Sequence, residues 1–161
     1  NSRGAIARFD RGAIEIRLLD IQESPRADMA IVALVVAVVQ ALAEGEWASF
    51  DAQAKWHEQD LLDLLLKTIR EGEEARLSDA AFLRLWHYPG KRATAGELWQ
   101  HLLERVADRL SAEQVTTLRY QLYHGTLSQR ILSQLKGDFR RPALHEVYRR
   151  LGDCLQSNTL L

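Results

Sequence analysis

Fourteen consecutive residues, Met29 to Leu42 (MAIVALVVAVVQAL), contain a single polar side chain, Gln40. Charged residues bracket the run at Asp28 and Glu44. A helix that crosses a bilayer needs about 20 such residues. The run therefore reads as a helix buried on all sides in the core of a soluble protein. It lies too far from the start for a secretory leader, and no basic segment and small-residue cleavage site frame it. A helix of this kind demands a surrounding layer of other elements. The chain has 161 residues, about one domain's worth, with which to build that layer. Hydrophobic residues at 47% and charged residues at 27% suit a globular fold and exclude disordered or fibrous classes.

Lys and Arg number 21 against 22 Asp and Glu, a net charge of -1. No whole-protein field is present to attract nucleic acid or an anionic membrane, and neither is expected as a partner. Cys154 is the one cysteine, so no internal disulfide forms, which fits a reducing, cytoplasmic setting. The chain opens Asn1-Ser2-Arg3-Gly4 and enters strand-like sequence at once. This is expected of the interior of a longer protein.

Residues 5–9 and 13–19 alternate and are rich in Ile, and Asp10-Arg11-Gly12 lies between them. That pattern predicts a β-hairpin. In the second strand Ile14, Ile16 and Leu18 point one way and Glu15 and Arg17 the other. A lone hairpin is marginal in water, so its apolar face is expected to pack on helices. Ser24-Pro25 starts the apolar helix. A second helix is predicted over 51–72, with Leu61, Leu62, Leu64, Leu65, Leu66 and Ile69 as its packing stripe and Gly72 as its stop. Ser78 is expected to cap a short helix through Trp86. Three capping boxes follow at Thr94, Ser111 and Thr126, and Pro142 opens the last helix. The expected fold is mainly α with a small β part (α+β): an N-terminal β-hairpin and about seven helices packed as a bundle. It forms one domain over 1–161, with the hairpin in 1–22 and the helical region in 23–161.

Glu15 and Arg17, at i and i+2 on a strand, form the one arrangement of chemical interest. A carboxylate supplies hard oxygen for Mg²⁺, and a guanidinium clamps a phosphate or a substrate carboxylate bidentately. The plain alternative is a solvated strand face with a cross-strand ion pair that involves Arg8 or Asp10. His57, His87, His101, His124 and His145 are scattered without ligand spacing. Cys154 reads as a structural thiol, and Trp47, Trp56, Trp86 and Trp99 as packing residues. The basic run from Lys136 to Arg150 reads as a solvated face. A helix-turn-helix over 112–136 is disfavoured by the balanced charge.

The run RFDRGAIEIRLLDIQESPRADMAIVALVVAVVQAL resembles the last active-site strand and following helix of the glutamate–cysteine ligase and carboxylate–amine ligase family, part of the glutamine synthetase superfamily. The resembling features are the E-x-R of Glu15-Ile16-Arg17, the acidic Asp20, the Ser24-Pro25 turn and the small-residue apolar helix over 26–43. The segment HEVYRRLGDCL also resembles the helical C-terminus of bacterial members. The likeness is strongest over residues 8–43 and weaker beyond. It implies a longer parent enzyme that uses ATP and Mg²⁺ to phosphorylate an amino-acid carboxylate, which an amine then attacks to form an amide. It implies Glu15 as a Mg²⁺ ligand. It implies Arg17 as a catalytic, nucleotide-facing residue on the transferring phosphoryl group or the substrate carboxylate. The remaining acids and the nucleotide pocket would precede residue 1, so the chain alone is expected to be inactive. Its partners would be small amino-acid substrates, and copies could associate through the open edges of the exposed hairpin. The other class of function is a helical interaction or oligomerisation module without catalysis.

Overall fold

The computed structural model describes residues 4–161; the opening residues 1–3, on which the reading of a longer parent partly rests, lie outside the described residues. The architecture is mainly α with a small β part. Strands β1 (Ala5–Arg8) and β2 (Ala13–Ile16) pair antiparallel, with Ile6 opposite Glu15 and Arg8 opposite Ala13. Gly12 closes the connection at φ +58°, a conformation that costs glycine little and other residues more. The helices are α1 (Pro25–Ala43), α2 (Phe50–Ala54), α3 (Glu58–Glu71), α4 (Ala80–Leu85), α5 (Ala95–Val106), α6 (Ala112–His124), α7 (Leu127–Leu135) and α8 (Arg141–Ser157). A second antiparallel pair, β3 (Arg76–Leu77) with β4 (Ala93–Thr94), was not legible as strand, being two residues long on each side.

Start signals act largely as expected. The Ser24 hydroxyl accepts from the Ala27 amide, and Pro25 occupies the first turn of α1. Reciprocal capping boxes open α5 at Thr94 and Glu97, α6 at Ser111 and Gln114, and α7 at Thr126 and Gln129. Pro142 lies in the first turn of α8. At α4 the cap is Asp79 instead of Ser78. Its carboxylate takes the amides of both Ala81 (2.7 Å) and Phe82 (3.1 Å), and a negative charge suits a helix start better than a neutral hydroxyl. The helix expected over 51–72 is two, α2 and α3, because His57 adopts an extended conformation (ψ 140°). The break presents the Trp56 ring edge-on to Phe82, 5.5 Å between centroids. This division brings the described helices to eight.

The core lies where α1, α5 and α6 meet. Ala27, Ala30, Leu34, Ala37, Val38 and Ala41 form the inner stripe of α1, and Leu98, Leu102, Leu103, Val106 and Leu118 face it from α5 and α6. Four of the α1 residues are alanines, which lets backbones approach closely. Trp47, Leu77, Leu83 and Ala93 complete the cluster.

Three expectations about burial are corrected. Helix α1 is covered on one side only, and Met29, Val32, Val36 and Val39 on the opposite side are exposed. Helix α3 has no buried residue; Leu64 packs on the core, but Leu61, Leu62, Leu66 and Ile69 face outward. The apolar hairpin face also lies open, with Ile14 at 61% and Ile16 at 40% exposure. For α1 the cause is that it is apolar around more of its circumference than the described elements cover; for α3 and the hairpin, no described element lies over the open apolar face.

One ionic feature ties distant segments together. Glu23, just before α1, pairs with Arg130 of α7, and both side chains are buried. Arg130 also donates to the Gly125 carbonyl (3.2 Å) and lies 5.9 Å from the Tyr120 ring centre. The Leu161 amide donates to Glu23 (3.3 Å), and the Tyr120 hydroxyl donates to the Leu161 carbonyl (2.7 Å). The last residues are thereby clasped against the start of α1.

Candidate functional site on the hairpin

The pleat puts Ile6, Arg8, Glu15 and Arg17 on one face, and the Arg17 amide extends the ladder by donating to the Gly4 carbonyl at 3.0 Å. Glu15 and Arg17 therefore do share a face, and their side chains meet. Arg17 Nε donates to Glu15 Oε1 at 2.7 Å. Arg8 Nη1 donates to the other oxygen, Oε2, at 3.0 Å. Arg8 Nε reaches back to Asp10 at 3.3 Å. The result is one carboxylate held between two guanidinium groups on adjacent strands. All three side chains are partly open to solvent, with Glu15 at 37% and Arg17 at 47%.

The electrostatics follow from these contacts. The hydrogen bond from Arg17, and then that from Arg8, hold the Glu15 carboxyl below its ordinary range. Glu15 stays ionised through neutral and mildly acidic conditions. Asp10 first, and Glu15 second, push Arg8 above its usual value. The Arg8 contact was foreseen only as part of an ordinary cross-strand ion pair. The signal for a three-member cluster was present in the register, since Arg8 stands diagonally across the ladder from Glu15. Asp20 lies beyond the strand, exposed, and its carbonyl accepts from the Gln22 side chain.

The arrangement can do two things chemically. Glu15 can give one oxygen to a hard cation. Arg8 and Arg17 can together bind an oxyanion of a phosphate or carboxylate. Among the described residues no group of three or more His, Cys, Asp or Glu side chains is placed to hold a metal ion. A cation at Glu15 would thus need further oxygens from elsewhere.

The weaker candidates resolve as packing or local pairing. Cys154 is buried. Arg140 pairs with Asp138, and Arg149 with Glu146 and Asp153, so two of the five cations in the basic run are paired locally, and Arg150 bonds the neutral Gln134 side chain. Trp47, Trp56 and Trp86 join Phe82 in an aromatic cluster, while Trp99 is more exposed. A cleft of about 780 Å³ between α5 and α6, which sequence reasoning missed, is lined by Tyr88, His101, Tyr120 and Tyr123 and bridged by Arg119 on Glu104. Its residues come from two helices and the loop before β4, at unremarkable spacing.

No protein-family model matches the chain, and no solved structure does. The chain is similar to an uncharacterised protein of Archaeoglobus fulgidus, 26% identical over 158 residues, which span 98% of this chain and 36% of that protein. The chain thus covers about a third of the length of the curated relative it matches.

Proposed function

We propose that this chain is the C-terminal part of an ATP-dependent carboxylate–amine ligase resembling glutamate–cysteine ligase. The observation that supports the reading is the pairing of Glu15 with Arg17 on one strand face, where the resemblance expects them. Glu15, kept ionised by its arginine neighbours, would supply one Mg²⁺ ligand. Each of its oxygens accepts one guanidinium hydrogen bond, which leaves a lone pair on each for a cation. Bound Mg²⁺–ATP would supply the phosphoryl group that activates a substrate carboxylate. The work of this chain's own residues is charge placement: Arg17, with Arg8 beside it, would lie where negative charge gathers. The remaining ligands and the nucleotide pocket would come from outside residues 4–161, so the isolated chain is expected to be inactive.

The test uses the longer protein that carries this chain. Given glutamate, an amine, Mg²⁺ and ATP, it should release phosphate and form an amide. Arg17→Ala should abolish turnover with the circular dichroism spectrum unchanged. Normal turnover in that variant removes the assignment. The second reading, a helical interaction module, is favoured by the open apolar faces of α1 and α3, and it expects Arg17→Ala to change no activity.

A further inference from the structure

The cleft between α5 and α6 carries polar groups that neither the hairpin nor the core uses. Its volume of about 780 Å³ suits a small organic molecule. One end is closed by Arg119 of α6, whose Nη2 donates to both oxygens of Glu104 on α5, at 2.9 and 3.0 Å. That pair cancels its own charge. One and two turns back along α5 stand His101 and Glu97, and one turn on along α6 stands Tyr123. Glu97 Oε2 accepts from the Thr94 amide in the capping box at 2.7 Å. Its other oxygen has no partner, and Glu97 forms no ion pair among the described residues. The cleft therefore holds one carboxylate without a countercharge.

The rest of the lining is fixed in place. His101 Nε2 lies 3.0 Å from the Trp86 carbonyl. A carbonyl only accepts, so Nε2 carries the ring hydrogen and Nδ1 of the neutral ring keeps a free lone pair. The Tyr88 ring stands nearly perpendicular to that of His101, 5.3 Å between centroids, and the Tyr123 ring nearly perpendicular to that of His124, at 4.9 Å. A perpendicular contact occupies at most one face of a ring, so each tyrosine keeps a face for another group. A free carboxylate oxygen, a free imidazole lone pair and two open ring faces are the features that recognise an organic cation. An anion would instead meet Glu97 and an Arg119 already neutralised by Glu104.

We propose that this cleft binds a small organic ammonium ion, with its charge beside Glu97 and its apolar body against Tyr88 and Tyr123. The site is separate from the hairpin and does not rest on the ligase reading. The test titrates phenethylammonium into the isotopically labelled 161-residue chain and follows the backbone amide resonances. Saturable binding with a Kd of roughly a millimolar is expected, with the shifts gathered over residues 97–104 and 119–123. Glu97→Gln preserves the capping box, since glutamine serves equally at that position, and it should weaken binding about fivefold. Tyr123→Ala, at a side chain exposed enough to leave the fold intact, should weaken binding about threefold. Tyr123→Phe keeps the ring and should bind as wild type. Phenylacetate, an anion of similar size, should not bind. Lack of saturation up to ~20 mM with both phenethylammonium and benzyltrimethylammonium overturns the proposal. So does equal affinity for phenylacetate, a set of shifts centred on Glu15 of the hairpin, or an affinity indifferent to both Glu97→Gln and Tyr123→Ala.

Discussion

Replacing Arg130 with Met should be among the most damaging single changes on the far side of the bundle. The substitution keeps an unbranched side chain of similar length but removes the charge. It strips Glu23 of its guanidinium partner while that carboxylate stays buried at 0% side-chain exposure. It also removes the donor to the Gly125 carbonyl. Stranding one member of a buried pair costs about 3–5 kcal/mol, a large share of the 5–15 kcal/mol that holds a domain folded. For a chain this long that is a fall in Tm on the order of 8–16 °C. The double variant Glu23→Leu/Arg130→Met removes both charges and should regain most of the loss, because paired burial contributes little net stability over apolar packing. The assay is urea denaturation of all four members of the cycle, read by linear extrapolation. A loss under about 1 kcal/mol for Arg130→Met, or a double variant as weak as the single, refutes the reasoning. The pH dependence adds a second arm. Burial by itself raises the Glu23 carboxyl, but hydrogen bonds from Arg130, its own backbone and the Leu161 amide bring it below the ordinary 4.5. A carboxyl depressed in the folded state contributes stability that is present above the unfolded value and lost as pH falls through the folded value. Wild-type stability should therefore decline on acidification below about pH 4.5, and the double variant should lack that part of the decline.

Two further perturbations probe the bundle itself. Leu103→Ala, at a side chain 1% exposed in the core, should cost about 3–5 kcal/mol by urea denaturation; a loss under 1 kcal/mol would mean the α1–α5–α6 junction is loosely packed. Thr94→Ala should remove the side-chain half of the α5 capping box and lower stability by about 1 kcal/mol, a few degrees in Tm; an unchanged melting curve would show the cap to be redundant with the β3–β4 pairing.

Local signals in this chain were legible and long-range ones were not. Ser24-Pro25, the three capping boxes and Gly72 carry their meaning within four residues, and each marks an element boundary. Ser78 against Asp79 shows the limit of that reasoning: two adjacent caps of similar preference compete, and the one whose charge complements the helix start is used. The split at His57 was illegible because the Leu-rich stripe after it satisfies helical periodicity whether or not the helix begins earlier. The Glu23–Arg130 pair joins residues 107 apart, and nothing near either one announces the other. The faces of the second strand were legible because alternation assigns them strictly, so Glu15 and Arg17 had to share one. Which face would be covered was not, since that depends on elements far along the chain.

Coverage is the point on which the site and the fold meet. Residues that do chemistry need rigid support, within about 0.5 Å of a working geometry. The Arg8–Glu15–Arg17 cluster sits on a two-stranded ribbon whose own ladder sets its geometry, and whose base meets the bundle where Gly4 lies close to the side chains of Leu18 and of Leu65 in α3. Two strands of four residues are marginal by themselves. The ligase reading therefore requires further strands on an open edge of this ribbon, and it requires Ile14 and Ile16 to become buried in the longer protein. The interaction-module reading requires neither. Hydrogen exchange of the β1 and β2 amides separates them. In the longer protein the ligase reading expects protection of those amides to rise by orders of magnitude over the 161-residue chain, as the unpaired edge and apolar face are covered. Equal, fast exchange in both would leave Glu15 and Arg17 as a solvated ion pair on a mobile ribbon, with no platform for phosphoryl transfer.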